Sequence, residues 1–177
     1  KVFKYTAAAG LLSGSLNSSS SFSLNSSNSN PKGIVTDGTS IWVINDSTTD
    51  KIFKYSLSGT LQGSWTIDAA NSSPTGLTID PTNVSNIWTV DSGTDKVYQY
   101  TAAASRASGS QTAAATFALA AGNTNPQDIA DPPVPDSLQT TASSTISTVG
   151  SASLAVVASS VLNVPVSLAK TITTELG

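Results

Sequence analysis

Cysteine, methionine and histidine are all missing from the 177 residues. Without Cys there is no disulfide frame and no thiolate zinc site, and without His the commonest general base and metal ligand is gone. A chain free of Cys fits a secreted bacterial surface protein. Charge is scarce too: Asp, Glu, Lys and Arg make up 11% of the chain, against about a quarter in an average protein. The eight Lys and Arg form no cluster, and eleven Asp and Glu leave a net charge of −3. Nucleic acid is therefore not an expected partner, because phosphate binding needs gathered cations. No long apolar run is present either. The richest window, residues 152–169, is broken by four Ser, one Asn and Pro165, where a spanning helix needs about 20 mainly apolar residues. Membrane insertion is not expected.

What remains is a repeat. The stretch from Ser85 through Ile87-Trp88-Thr89-Val90, Asp91-Ser-Gly-Thr-Asp95 and Lys96-Val-Tyr-Gln-Tyr100 has a close copy upstream. That copy runs Ile41-Trp42-Val43-Ile44, Asp46-Ser-Thr-Thr-Asp50 and Lys51-Ile-Phe-Lys-Tyr55. An alternating apolar run, a polar turn and a second alternating run ending in Tyr predict a β-hairpin. Lys1-Val-Phe-Lys-Tyr5 gives the second run a third time. Phe22-Ser-Leu24, Trp65-Thr-Ile67 and Phe117-Ala-Leu119 are a further recurring strand, expected to begin near the aromatic residue. A Pro-opened turn recurs at Pro31, Pro74 and Pro126, each followed by an apolar strand leading to Asp37, Asp80 or Asp131.

One copy thus reads as four short antiparallel strands in about 45 residues, the size of one β-propeller blade. A sheet this small cannot bury both faces alone, so neighbouring blades must stack on it. Trp42, Trp88, Phe53, Tyr55, Tyr98 and Tyr100 are expected to fill the space between blades, since large apolar residues are usually buried. The order Gly-Ile, Asp-Gly, Ile-Trp-Val, Thr-Asp-Lys-Ile-Phe-Lys-Tyr and Ser-Gly resembles the NHL-type repeat and its bacterial secreted relatives over residues 1 to about 131. That resemblance implies a propeller used as an interaction platform and, in some members, as an enzyme.

The expected fold is therefore all-β, with propeller-like blades of four antiparallel strands. Residues 1–131 offer the last two strands of one blade, two whole blades and the first strand of another. A closed propeller takes at least about four, so the ring is expected to be incomplete or shared between chains. The start on a mid-repeat strand favours a fragment. Residues 132–136 read as a stiff Pro-rich linker, and residues 137–177 as a tail rich in Ser, Thr, Ala and Val or the start of a further module. Such a tail could also add a strand to a neighbour's sheet.

The carboxylates of the Asp-rich turns alternate as a calcium loop requires, but a third ligand position and a distant bidentate Glu are lacking. They are expected to bond to their own turn backbones, and no cofactor is called for. Asp37, Asp80 and Asp131 would lie near one rim of a ring, where a carboxylate cluster could take a metal, Ca²⁺ included; without His beside them, turn-capping is the simpler role. Serines abound without a base, and Gly-x-Ser-x-Gly does not occur. The functional expectation is an extracellular or cell-surface structural or adhesive module that engages protein or glycan, or its own copies in an assembly. The alternative is a metal-dependent propeller lyase or hydrolase using the rim aspartates.

Overall fold

The computed structural model describes residues 1–80 and 83–130. Asp131, the linker at 132–136 and the tail at 137–177 lie outside the described residues. The described chain is all-β and forms three antiparallel sheets that do not close into a ring.

The first sheet is a pair, β1 (Val2–Lys4) with β2 (Ser20–Phe22). The second is a four-stranded meander of β3 (Pro31–Thr36), β4 (Ser40–Asn45), β5 (Lys51–Ser56) and β6 (Leu61–Thr66). The third repeats it as β7 (Pro74–Asp80), β8 (Asn83–Asp91), β9 (Lys96–Tyr100) and β10 (Ala115–Ala118). The last strand of each meander carries its aromatic inside the strand; Trp65 stands near the end of β6, which starts at Leu61. Leu61 to Ser64 lack the aromatic and β-branched residues that mark a strand in sequence, so pairing with β5 rather than propensity defines this element.

Register is shared between the two meanders. Trp42 stands opposite Val35 and Lys54, and Trp88 stands opposite Thr78 and Gln99, the equivalent partners. Because side chains alternate across a strand, one face of the second sheet presents Ile41, Val43, Phe53 and Tyr55, which pack with Phe22 and Leu24 of the preceding repeat. The other face presents Trp42, Ile44, Ile52 and Trp65 to Ile87, Tyr98 and Tyr100 of the third sheet. Two apolar layers thus hold three sheets, and the second sheet is buried on both sides.

The innermost strands approach most closely. A Cβ placed on Gly33 would stand 2.9 Å from Gly76 Cα, and one on Gly76 would stand 2.6 Å from Asp128 Cα. Glycine is there to let backbones touch rather than to make a turn. Beyond β10 the chain returns along β7, where Thr75 Oγ1 donates to the Pro126 carbonyl at 2.7 Å.

The segment between β1 and β2 and the segment between β9 and β10 are copies of each other. Thr6-Ala-Ala-Ala9 and Thr101-Ala-Ala-Ala104 both turn through a left-handed Ala, φ 63° at Ala7 and 56° at Ala102. Each then forms a short 3-10 turn, Ala8–Gly10 and Ala103–Ser105. Further on, Gly14 and Gly109 both take positive φ. In the third sheet this segment lies along the outer edge of the second. Ser64 N–H donates to the Ala107 carbonyl at 3.0 Å and Thr66 N–H to the Gly109 carbonyl at 2.9 Å. The Thr66 carbonyl accepts from Gln111 N–H at 3.0 Å. The β6 edge is thereby covered, which removes a template for uncontrolled pairing.

Candidate functional site

Two places combine unusual geometry with recurrence: the groove along the inner strands, and the joint between one sheet and the next.

The groove has a volume of about 490 Å³ and runs along β3, β7 and residues 128–130. Ile34, Ile79, Val84 and Ile129 give it an apolar wall, and Asp37 and Asp128 bring carboxylates. Asp37 is already engaged. Its Oδ1 accepts from Thr39 N–H at 2.8 Å, Ser40 N–H at 2.7 Å and Thr39 Oγ1 at 2.8 Å. Partial burial alone would raise its pKa, but these donors favour the charged form and hold it below the ordinary carboxylate value. Asp128 Oδ1 accepts from Ile129 N–H at 2.8 Å. Asp80 ends β7, and Asp131 lies outside the described residues. Among the described residues no three acidic side chains gather as a metal site would require.

The Asp-rich turns are organised from within. Asp91 is fully buried. Its Oδ1 accepts from Gly93 N–H, Thr94 N–H and Thr94 Oγ1 at 2.9, 2.7 and 2.9 Å, and its Oδ2 accepts from Ser73 N–H at 2.7 Å. Four donors around one carboxylate compensate its loss of water. The equivalent Asn45, also buried, accepts from Asn30 N–H at 2.7 Å and donates to Ser47 Oγ at 3.0 Å. Both side chains tie the loop entering a blade to the hairpin turn of that blade. Asp50 accepts from Ser47 N–H and Asp95 from Asn125 N–H, each at 2.8 Å. Burial raises the Asp50 pKa, and nearby Asp46 and Asp91 push the same way against the Ser47 hydrogen bond.

The joint between sheets is built twice from the same parts. Tyr55 stands one residue before the end of β5 and Tyr100 ends β9, the third strands of their sheets, and each hydroxyl is held by the loop that enters that sheet. Tyr55 Oη accepts from Asn25 N–H at 3.1 Å and Asn28 Nδ2 at 3.2 Å. Tyr100 Oη accepts from Asp68 N–H at 3.2 Å and Asn71 Nδ2 at 3.1 Å. Against each ring lies the aromatic of the preceding sheet's last strand. Phe22 sits 5.8 Å from Tyr55, and Trp65 meets Tyr100 edge-on at 5.1 Å. Tyr98 adds a bond to the Ala70 carbonyl at 2.7 Å. Lys54 spans the same joint, donating to the Ala104 carbonyl at 3.0 Å with its ammonium 5.1 Å from the centre of Trp42.

Of the six aromatics expected between blades, Trp42, Phe53, Tyr55, Tyr98 and Tyr100 are buried. Trp88, though in equivalent register, is half-buried on the face of the third sheet turned away from the second. The asparagines Asn28 and Asn71 escaped the sequence reading because Asn is so common here. Their signal was position: Asn28, Asn71 and Asn123 each stand three residues before Pro31, Pro74 and Pro126. No helix among the described residues is long and apolar enough to cross a membrane. No protein-family model and no curated protein matches the chain.

Proposed function

We propose that this chain is an extracellular, non-enzymatic repeat module that serves as a structural or adhesive element and offers a platform to protein or glycan. The observation that supports it most is the joint. Tyr, Asn and an aromatic meet twice at equivalent positions, which is the construction of a stacking unit extended by repetition. Of the rim aspartates that a catalytic reading would draw on, Asp37 is spent on the Thr39 and Ser40 donors. The surface left over is rich in Ser, Thr and Asn and poor in charge, which suits neutral hydroxylated partners held by hydrogen bonds.

The test is binding of the purified chain to neutral polysaccharides and isolated cell envelopes, together with protease shaving of intact cells. The expected result is retention that EDTA does not affect and that salt weakens little, from protein reached by the protease. Polysaccharide cleavage abolished by EDTA would replace this reading with a metal-dependent lyase or hydrolase. Recovery of the protein only from inside cells would remove the extracellular assignment.

A further inference from the structure

The chain contains two Asn-Pro bonds, Asn30-Pro31 and Asn125-Pro126, at equivalent Pro-opened turns, and their surroundings differ. At the first, the asparagine side chain is spent. Asn30 Nδ2 donates to the Asp46 carbonyl at 2.6 Å and its N–H donates to Asn45 Oδ1 at 2.7 Å. Asn30 is not one of the residues at positive φ.

Asn125 is one, at φ 57°. Asparagine tolerates the left-handed region better than most residues, but a following proline ring crowds the preceding residue and pushes it to extended backbone. Contacts on both sides hold it there nonetheless. Asn125 N–H donates to Asp95 Oδ1 at 2.8 Å, and the Asp95 carbonyl accepts from Leu119 N–H at 2.8 Å. On the other side of the bond Pro126 is buried, and its carbonyl accepts from Thr75 Oγ1 at 2.7 Å. Strain of this kind persists only where the surroundings impose it, and it gathers at sites of chemistry. One further group addresses the same residue. Gln127 Nε2 donates to the Asn125 carbonyl oxygen at 3.0 Å and to Asn125 Oδ1 at 2.9 Å. A single amide thus polarises the carbonyl of the Asn125-Pro126 bond and holds the Asn125 carboxamide beside it.

We infer that the chain cleaves itself between Asn125 and Pro126. Asn125 Nδ2 attacks the carbonyl carbon of its own residue. The new C–Nδ2 bond closes a succinimide ring, the bond from that carbon to the Pro126 nitrogen breaks, and the proton lost from Nδ2 passes to that nitrogen. No water, oxidant or other co-reactant is consumed. Residues 1–125 end in the succinimide, and residues 126–177 begin with the free secondary amine of Pro126. Proline also closes the competing route: asparagine ordinarily loses its amide when the next backbone N–H attacks the side chain, and proline has no N–H. Gln127 supplies a donor to the oxygen on which negative charge develops, and it keeps the reacting groups together. The inference goes beyond the stacking-module reading and does not rest on it.

Intact-mass spectrometry of the full chain, incubated at neutral pH and sampled over time, tests it. The expected result is two fragments meeting at Asn125 and Pro126 whose masses sum to that of the uncut chain, with no added water. Asn125→Ser, which places there the residue found before Pro74, removes the nucleophile and should abolish the cut. Gln127→Glu keeps the side chain's size but only accepts at neutral pH, and should slow the cut by about tenfold or more. Asn125 and Gln127 are both exposed, so the circular dichroism of either variant should match wild type. A chain that stays whole, a cut that persists in Asn125→Ser, or equal cleavage at Asn30-Pro31 overturns the proposal. A whole chain that still binds envelopes leaves the function proposal standing.

Discussion

Gly33 lies so close against Gly76 that a methyl group on the first would stand 2.9 Å from the Cα of the second and 3.0 Å from the amide nitrogen of Leu77. Backbone on both sides cannot give way as a side-chain tip can. Gly33→Ala and Gly76→Ala should each destabilise by about 1–3 kcal/mol through overpacking. Gly10→Ala, where the added carbon meets nothing within 4 Å, should not. Urea titrations followed by tryptophan fluorescence would rank the three, and an equal response at Gly10 and Gly33 would discard the close-approach argument.

The Tyr100 hydroxyl is a fixed acceptor for two donors from the preceding loop, one of them the buried Asn71. Tyr100→Phe keeps the ring against Trp65 but leaves those donors short of a partner, for an expected loss of about 1–3 kcal/mol. Tyr55→Phe should do the same at the first joint. Tyr5→Phe should cost far less, because Tyr5 is half-exposed and its hydroxyl meets no asparagine among the described residues.

Alkaline pH acts on the same group. Burial, with nearby Asp68 adding to it against the Asn71, Asp68 and Thr89 hydrogen bonds, pushes the Tyr100 pKa up to about 12, from 10 for a free tyrosine. Between those values the unfolded chain has released the proton that the folded chain keeps. Stability is therefore intact below pH 10 and falls as pH rises from 10 through 12, by roughly 2–3 kcal/mol in all from this group. Comparing wild type with Tyr100→Phe across that window isolates the effect. A wild-type slope no steeper than the variant's would contradict it.

The parts of the fold that could be read in the chain are those where one residue type states its environment. Ile41-Trp42-Val43-Ile44 and Lys51-Ile-Phe-Lys-Tyr55 alternate because one sheet is covered on both faces, and their repetition made the stacking evident. Residues 6–19 hid their role. Small residues and leucines between two strands look like a linker, and only the β6 ladder with residues 107–111 shows that this sequence covers an edge. The tyrosine clamp was hidden for another reason: among eleven asparagines, Asn28 and Asn71 are marked, with Asn123, only by their distance from a proline. The open side of Trp88 could not be inferred at all, since an equivalent position does not have an equivalent neighbour.

The left-handed alanines allow a prediction in the stabilising direction. Ala102, at φ 56°, opens the turn that places buried Ala103 and Ala104 between the second and third sheets. An L-residue with a Cβ is held there at a cost of about 1–2 kcal/mol, which glycine avoids while losing more chain entropy on folding. Ala102→Gly should therefore raise stability modestly, by about 0.5–1 kcal/mol, and Ala102→Val should lower it, β-branching being worst in that conformation. Ala7 shares the conformation at φ 63°, but Ala8 and Ala9 after it are exposed, so among the described residues no neighbouring sheet clamps that turn. A strained turn free to relax costs the folded chain little, so Ala7→Gly should change the melting temperature less than Ala102→Gly does. Equal gains at both positions would mean that the backbone alone, without the packing around Ala103 and Ala104, sets the cost.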